Sequence, residues 1–379
     1  MSLTGGPFLV LVAALTVAAF VALVVTWPWF AGRTVGWIAA RVGMLLVVNV
    51  LVLFSAAVWL NDTFLFYASW VDLHGALTGT VTKTSLDEGG NAAAAAREHV
   101  SGSAATAGTS VPDLSQTRMA SSGVGSFHVR GPASGLSGNV LVQVPPGYFD
   151  PANATRKYPV LEAFSGYPGS PYQWVSVISL ASDMATQVAK GHMRPAVIVM
   201  PQQWFPAGVD TECVNGAASN PQVETWLTED VPRWVAHTFR VNTQRSSWAT
   251  IGLSAGGWCA NMAAMLHPAQ YGAVIDMGGY FRPELSPFYQ PYPEHGAFAQ
   301  RYDLVARSER DPPPIAMWLE TSHADDVSYK SSAAFLKEAK APMAIHAVVL
   351  RNAGHRISVW QALLPESLRW LGHTVPGFG

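Results

Sequence analysis

The chain has 379 residues, 49% of them hydrophobic and 13% charged, with a formal net charge of −2. That length accommodates one large domain or two smaller ones, and the charged share is about half that of an ordinary soluble domain. A near-neutral chain without a basic cluster lacks the electrostatic footprint of a nucleic-acid binder, so no nucleic-acid partner is expected.

The apolar bias begins at the N-terminus. Phe8 to Phe30 and Val42 to Leu60 are uncharged. At roughly 1.5 Å per residue both runs cross a hydrocarbon core of about 30 Å. Two transmembrane helices are therefore predicted, near 8–30 and 42–60. The competing readings are a buried helical hairpin and a cleaved signal peptide. The second lacks a basic residue before Phe8 and an A-x-A-like site after the run. Arg33 and Arg41 are the only basic residues before Lys83, and both fall between the two runs. The positive-inside rule puts that connection in the cytoplasm and both chain ends outside. The expectation is a multi-pass plasma-membrane protein, with the bilayer as a partner and the domain that follows the spans extracytoplasmic. Trp27, Trp29 and Trp37 fit an interfacial belt, and an interfacial segment over 63–73 would serve the outer side. A third span starting there is the alternative, which would move the following domain into the cytoplasm. Asp72 and His74 make it short and polar. Residues 1–74 thus read as a membrane anchor.

Residues 75–123 are polar and low in complexity, with Gly89-Gly90, the alanine run Ala92–Ala96 and Ser101-Gly102-Ser103, and read as a tether. From 124 to 379 strand and helix signals alternate. Strands are predicted at Ser126–Val129, Gly138–Val144, Pro159–Ala163, Ala196–Met200, Trp248–Gly252, Ala273–Met277, Ile315–Glu320 and Ile345–Leu350. Helices are predicted near Val177–Lys190, Val223–Phe239, Gly257–Leu266, Ser331–Ala339 and Val359–Leu371. Such alternation implies an α/β domain with a mostly parallel central sheet and helices on both faces. Phe281 to Pro313 interrupts it, either as a surface excursion or as a wall or lid over a site.

The chemistry centres on Gly252-Leu253-Ser254-Ala255-Gly256. Strand, glycine turn with serine at its apex, then helix is the context of a nucleophile elbow. An acid and then a histidine should follow in the chain. Asp325 and Asp326 lie just past one predicted strand, and Asn352-Ala353-Gly354-His355 follows another. Both are positions where open α/β sheets place their sites. A serine hydroxyl becomes a competent nucleophile when a base takes its proton, and a carboxylate fixes that base's tautomer. The candidate set is Ser254, His355 and Asp325, with Asp326 and Glu320 as alternatives for the acid. His323, His346 and His373 lack the Gly-His loop context. The two cysteines, Cys213 and Cys259, are either buried thiols or, in an oxidising compartment, one disulfide. The bridge is the favoured expectation. Cysteine spacing is wrong for a metal site, so neither a metal nor a cofactor is expected.

Over about Val140 to Leu371 the chain resembles the esterase D-like branch of the α/β-hydrolase superfamily, which includes the mycolyltransferases. The supporting stretches are Tyr158–Gly166, Val199-Met200-Pro201, Glu224–Pro232, the Gly252–Gly257 elbow, and His355 with Trp360. The resemblance implies an α/β-hydrolase fold, with an oxyanion hole formed by the backbone amides of Ala255 and Tyr167. Donors of that kind contribute about 3 kcal/mol each to the transition state. Phe164-Ser165-Gly166 departs from the His-Gly or Asp-Gly often found there, and the membrane hairpin is absent from secreted mycolyltransferases. The function expected is a membrane-tethered serine esterase or acyltransferase acting on an envelope lipid or acyl ester. Mycolyl transfer to a sugar and aminoacyl-lipid hydrolysis are alternatives within that class. A non-catalytic scaffold on a hydrolase fold is the alternative from another class. Such scaffolds usually lose the serine or histidine, and both are present here. A serine peptidase is less well supported, since no propeller-like or cap domain is evident.

Overall fold

The computed structural model describes residues 3–4, 6–64, 66–67, 69–78, 83–106, 119, 123–217 and 219–379. They divide into two compact units. One is Met1–Thr82 with His323–Asp326 and Arg351–Arg356. The other is Lys83–Ser322, Val327–Leu350 and Ile357–Gly379.

The first unit is built on a helical hairpin. Helix α1 (Gly6–Thr26) gives way to a 3₁₀ turn at Trp27–Phe30, where Pro28 supplies no amide for continued α-helical bonding. Helix α2 (Val35–Phe64) begins earlier and ends later than the apolar run alone implies. Arg41 is accommodated within it because its guanidinium reaches back to the carbonyl of Gly32 (3.1 Å) and lies 5.7 Å from the Trp27 ring centre. The two helices are tied by Thr16, whose hydroxyl lies 2.7 Å from that of Ser55. Among the described residues, these two helices are long and apolar enough to cross a membrane. Asn61 exchanges two hydrogen bonds with the backbone of Tyr67, turning the chain into helix α3 (Trp70–Thr78). At nine residues α3 is far shorter than the roughly 20 a spanning helix needs, so the described residues contain no third span.

The second unit holds one sheet. Its strands are β1 (Lys83–Gly89), β2 (Val124–Arg130), β3 (Ser137–Gln143), β4 (Val160–Phe164), β5 (Val197–Pro201), β6 (Trp248–Leu253), β7 (Ala273–Met277), β8 (Ala316–Ser322) and β9 (Ala344–Leu350). Among the described residues the order is β1-β9-β8-β7-β6-β4-β5-β3-β2. Strands β4 to β9 pair in parallel, while β1, β2 and β3 join antiparallel at the two edges. The central strands are buried throughout, which accounts for their continuous Val, Ile, Ala and Met runs. The helices are α4 (Ala92–Arg97), α5 (Tyr172–Ser176), α6 (Leu180–Ala189), α7 (Val223–Thr225), α8 (Val231–Thr238), α9 (Ala255–Leu266), α10 (Ala297–Arg301), α11 (Leu304–Arg310), α12 (Tyr329–Glu338) and α13 (Ile357–Thr374). This is the α/β-hydrolase architecture that the sequence implies.

The tether reading of 75–123 needs correction. Residues 79–82, 107–118 and 120–122 lie outside the described residues. Within the remainder, β1 pairs over its whole length with β9, and α4 buries Ala95 and Ala96. Asp87 on β1 sits 2.6 Å from His346 on β9, and Arg245 donates to the carbonyls of Ala95, Ala96 and Glu98 at the end of α4. The sheet therefore starts at Lys83 rather than at 124. The helix expected over Val177–Lys190 is α6, Leu180–Ala189, and a separate short helix, α5, ends just before it at Ser176. Ser179, at φ 60°, lies between the two.

Glu162 is fully buried in β4, where its carboxylate accepts a hydrogen bond from the Tyr271 hydroxyl at 2.7 Å. Burial outweighs that bond and pushes its pKa up to about 8 from 4.5. Between those values the unfolded chain holds fewer protons at this site than the folded one, so stability falls as pH rises across the window. Glu162→Gln keeps an acceptor for Tyr271. It is expected to change Tm little at pH 5 and to raise it by about 3 °C or more at pH 8. Equal shifts at both values in thermal melts would contradict this account.

Candidate active site

Ser254 is the apex of the turn from β6 to α9, at φ 57° and ψ −125°. L-residues rarely adopt that conformation, and the packing around it shows why it is imposed. A Cβ on Gly252 would lie 1.9 Å from the Gly256 carbonyl oxygen, and one on Gly256 would lie 2.2 Å from that of Phe164. Only glycines permit so tight a crossing of strand and helix. The turn is held by the Ser254 amide, which donates to the Met277 carbonyl at 3.0 Å. From Gly252 to Ala260 every residue is buried except Ser254, which is partly exposed. Its hydroxyl group therefore stands at the N-terminus of a 12-residue helix, where amides and helix dipole favour developing negative charge.

The loop after β4 runs alongside this elbow. A Cβ on Gly166 would lie 3.1 Å from the Leu253 carbonyl oxygen and 3.4 Å from Ser254 Cβ. That places Gly166 beside the serine. The Tyr167 side chain leads elsewhere: its hydroxyl donates to the Gly208 carbonyl at 2.8 Å and its ring packs edge-on against Trp204. Gln203, absent from the sequence-derived set, fixes this loop. Its buried Oε1 accepts from the Ser165 amide (2.6 Å) and hydroxyl (3.0 Å), and its Nε2 donates to the Ser165 carbonyl at 3.2 Å. Gln173 adds a bond from the Gly166 amide at 3.2 Å. Polar residues directly after the apolar β5 strand were the available signal.

Cys213 and Cys259 form a disulfide, as expected, with Cα atoms 5.6 Å apart. It ties the loop after β5 to the elbow helix, and Gln203 Nε2 lies 3.5 Å from Cys259 Sγ. Closing a loop of 46 residues contributes about 4 kcal/mol on the chain-entropy model. The buried Trp258 Nε1 donates to the Glu212 carbonyl beside the bridge, adding a second link between the same two elements.

His355 and Asp325 belong to the first unit and are brought together. His355 Nδ1 lies 2.8 Å from Asp325 Oδ2, with both side chains largely buried. The two other acids differ. Asp326 is exposed, and Glu320 is buried within β8, paired in register with Met277 and Val348. The carboxylate that meets the imidazole is thus Asp325.

Glu224 anchors the excursion between β7 and β8. Its carboxylate meets His267 at 2.7 Å and also accepts from Arg301 and from the Tyr302 hydroxyl. Burial alone would raise its pKa, but hydrogen bonds and charge from His267 and Arg301 hold it at about 2. Residues 281–313 are therefore not wholly irregular. They contain α10 and α11, and the segment is pinned where α10 ends.

A family profile described as putative esterase matches residues 133–371. An uncharacterized protein of Corynebacterium glutamicum is 35% identical over 144 residues, which make up 38% of this chain and 32% of that protein. The chain spans about a third of that relative's length. Among solved structures, an S-formylglutathione hydrolase from Agrobacterium tumefaciens matches with a TM-score of 0.55 at 16% identity, covering 66% of this chain and 95% of its own. A ferulic acid esterase matches with 0.53 at 19% identity, covering 66% and 97%. MPT51 of Mycobacterium tuberculosis matches with 0.50 at 14% identity, covering 68% and 99%. At these identities the structural likeness concerns the fold.

Proposed function

The chain belongs to the putative-esterase family, a serine ester hydrolase on the α/β-hydrolase fold, and from that premise we propose that it is a membrane-tethered esterase or acyltransferase working through Ser254, His355 and Asp325. The observation that carries the proposal is Ser254 itself, partly exposed at the apex of an otherwise buried elbow, in a conformation its two flanking glycines exist to permit.

In the proposed cycle Ser254 Oγ attacks the acyl carbon while His355 takes its proton. The Ala255 and Tyr167 amides stabilise the oxyanion. The leaving alkoxide collects the proton from the imidazolium, and an acyl-enzyme remains. Water or an acceptor hydroxyl then attacks, losing its proton to His355, and Ser254 is regenerated. Asp325 holds the imidazole tautomer throughout.

The two N-terminal apolar helices support a lipid-proximal substrate, since they would keep the enzyme at a bilayer. Mycolyl-type transfer and aminoacyl-lipid hydrolysis both fit such a site. The test is to incubate the detergent-solubilised protein with total envelope lipids and follow the lipids by mass spectrometry. One acyl-ester species should be consumed, and no loss should occur with Ser254→Ala. An unchanged lipid profile alongside brisk hydrolysis of water-soluble esters would overturn the lipid assignment.

Orientation is proposed from Arg33, between the two helices, and Arg41, in the N-terminal part of α2. In a chain with Cys213 and Cys259 replaced by serine, a cysteine at Ser103 is expected to react with an impermeant maleimide in intact cells, and one at Gly36 to be protected. The reverse pattern would place the catalytic domain in the cytoplasm.

A further inference from the structure

On both sides of His355 the chain is held by one carboxylate from the juxtamembrane helix. Asp72, in the first turn of α3, is 4% exposed. Its Oδ2 accepts the Gly354 amide at 2.9 Å and Arg356 Nη1 at 2.6 Å. Arg356, itself 7% exposed, also donates to the Phe66 carbonyl at 2.9 Å, and its guanidinium lies 4.9 Å from the Tyr67 ring centre. The residue before His355 is thus fixed to α3, and the residue after it to both α3 and the segment joining α2 to α3. Asp72 in turn is seated by Ser69, whose hydroxyl accepts its amide at 3.1 Å. A buried carboxylate serving two donors, one of them charged, is a strong and directional restraint.

We propose that Asp72 is a positioning residue for the esterase, acting through Gly354 and Arg356 to aim the His355 imidazole, so that the juxtamembrane segment is part of the catalytic apparatus. The inference rests on His355 being the general base. Asp72 touches neither substrate nor reacting atoms. Its effect is geometric: a general base displaced by about 1 Å costs on the order of 100-fold in rate. Loss of the clamp should therefore lower kcat and leave KM nearly unchanged, because ground-state binding does not use the imidazole.

The experiment uses the full-length protein in detergent micelles, with a p-nitrophenyl ester as substrate and a fluorophosphonate as active-site label. Asp72→Ala is expected to lower kcat by about 100-fold, with KM within about twofold and labelling slowed in parallel. Asp72→Asn keeps an oxygen for the Gly354 amide and should retain about tenfold more activity than Asp72→Ala, at a similar Tm. If Asp72→Ala does not fold, Asp72→Asn is compared with the parent, and a fall in kcat of about tenfold at constant KM is expected. Asp72 variants with parental kcat overturn the inference, as does a loss that appears only in KM or only in step with a falling Tm. His355→Ala is assayed beside them. If that variant stays active, the general-base assignment has failed; if it is inactive while the Asp72 variants are normal, only the positioning role has failed.

Discussion

Replacing Ser254 with alanine is expected to abolish fluorophosphonate labelling and the burst of p-nitrophenol from an activated ester, and to lower kcat by about 10⁶-fold. The expectation comes from position more than from residue type. The Ser254 hydroxyl stands at the start of α9, and a Cβ on Gly166 would come within 3.4 Å of the serine Cβ, so the amides of that loop lie close by. The fold should survive, since the turn depends on Gly252, Gly256 and the Ser254 backbone amide rather than on the hydroxyl. Far-UV circular dichroism and Tm should match the parent. Persistent stoichiometric labelling in Ser254→Ala would move the nucleophile elsewhere.

Changing Asp325 to asparagine should lower kcat by about 10⁴-fold with little change in KM, because an amide cannot hold the imidazole in the productive tautomer or stabilise its cation. The geometry separates the three acids. Asp325 is buried 2.8 Å from His355 Nδ1, Asp326 points into solvent, and Glu320 lies within the strand. Asp326→Asn should therefore keep kcat within about twofold of the parent, since exposed substitutions away from special contacts have small effects. Glu320→Gln should cost far less than Asp325→Asn. Steady-state kinetics on the three variants decide the matter, and a greater loss in either of the other two would reassign the acid.

The sequence carried the sheet from β2 to β9 and missed its β1 edge. Ala273–Met277 was legible to the residue because Gly272 and Gly278-Gly279 bracket an unbroken apolar run. The elbow was legible because its glycines answer a steric demand that few other turns make. Lys83–Gly89 was not legible. Its Lys, Thr, Ser, Asp and Glu present no apolar face, and its strand state comes from the available edge of β9, a tertiary cause. Asp325 was preferred over Asp326 on the resemblance alone, since both follow β8; burial and the contact with His355 tell them apart in the structure. Asp72 acts through the backbone amide of a distant loop and through Arg356, and no local pattern marks such a partner.

The family match begins at residue 133, which invites cutting the chain near Val124 to obtain a soluble enzyme. Such a chain would lack β1, and the edge of β9 that it covers would present the amides and carbonyls that point away from β8 without partners along a largely apolar strand. Bare edges of that kind recruit other strands, so the trimmed protein is expected to self-associate. The charged, fully exposed face of Lys83–Gly89 is thus a built-in guard against fibre-like stacking. For crystallography the boundary belongs ahead of Lys83, and for assay ahead of α3, which carries Asp72.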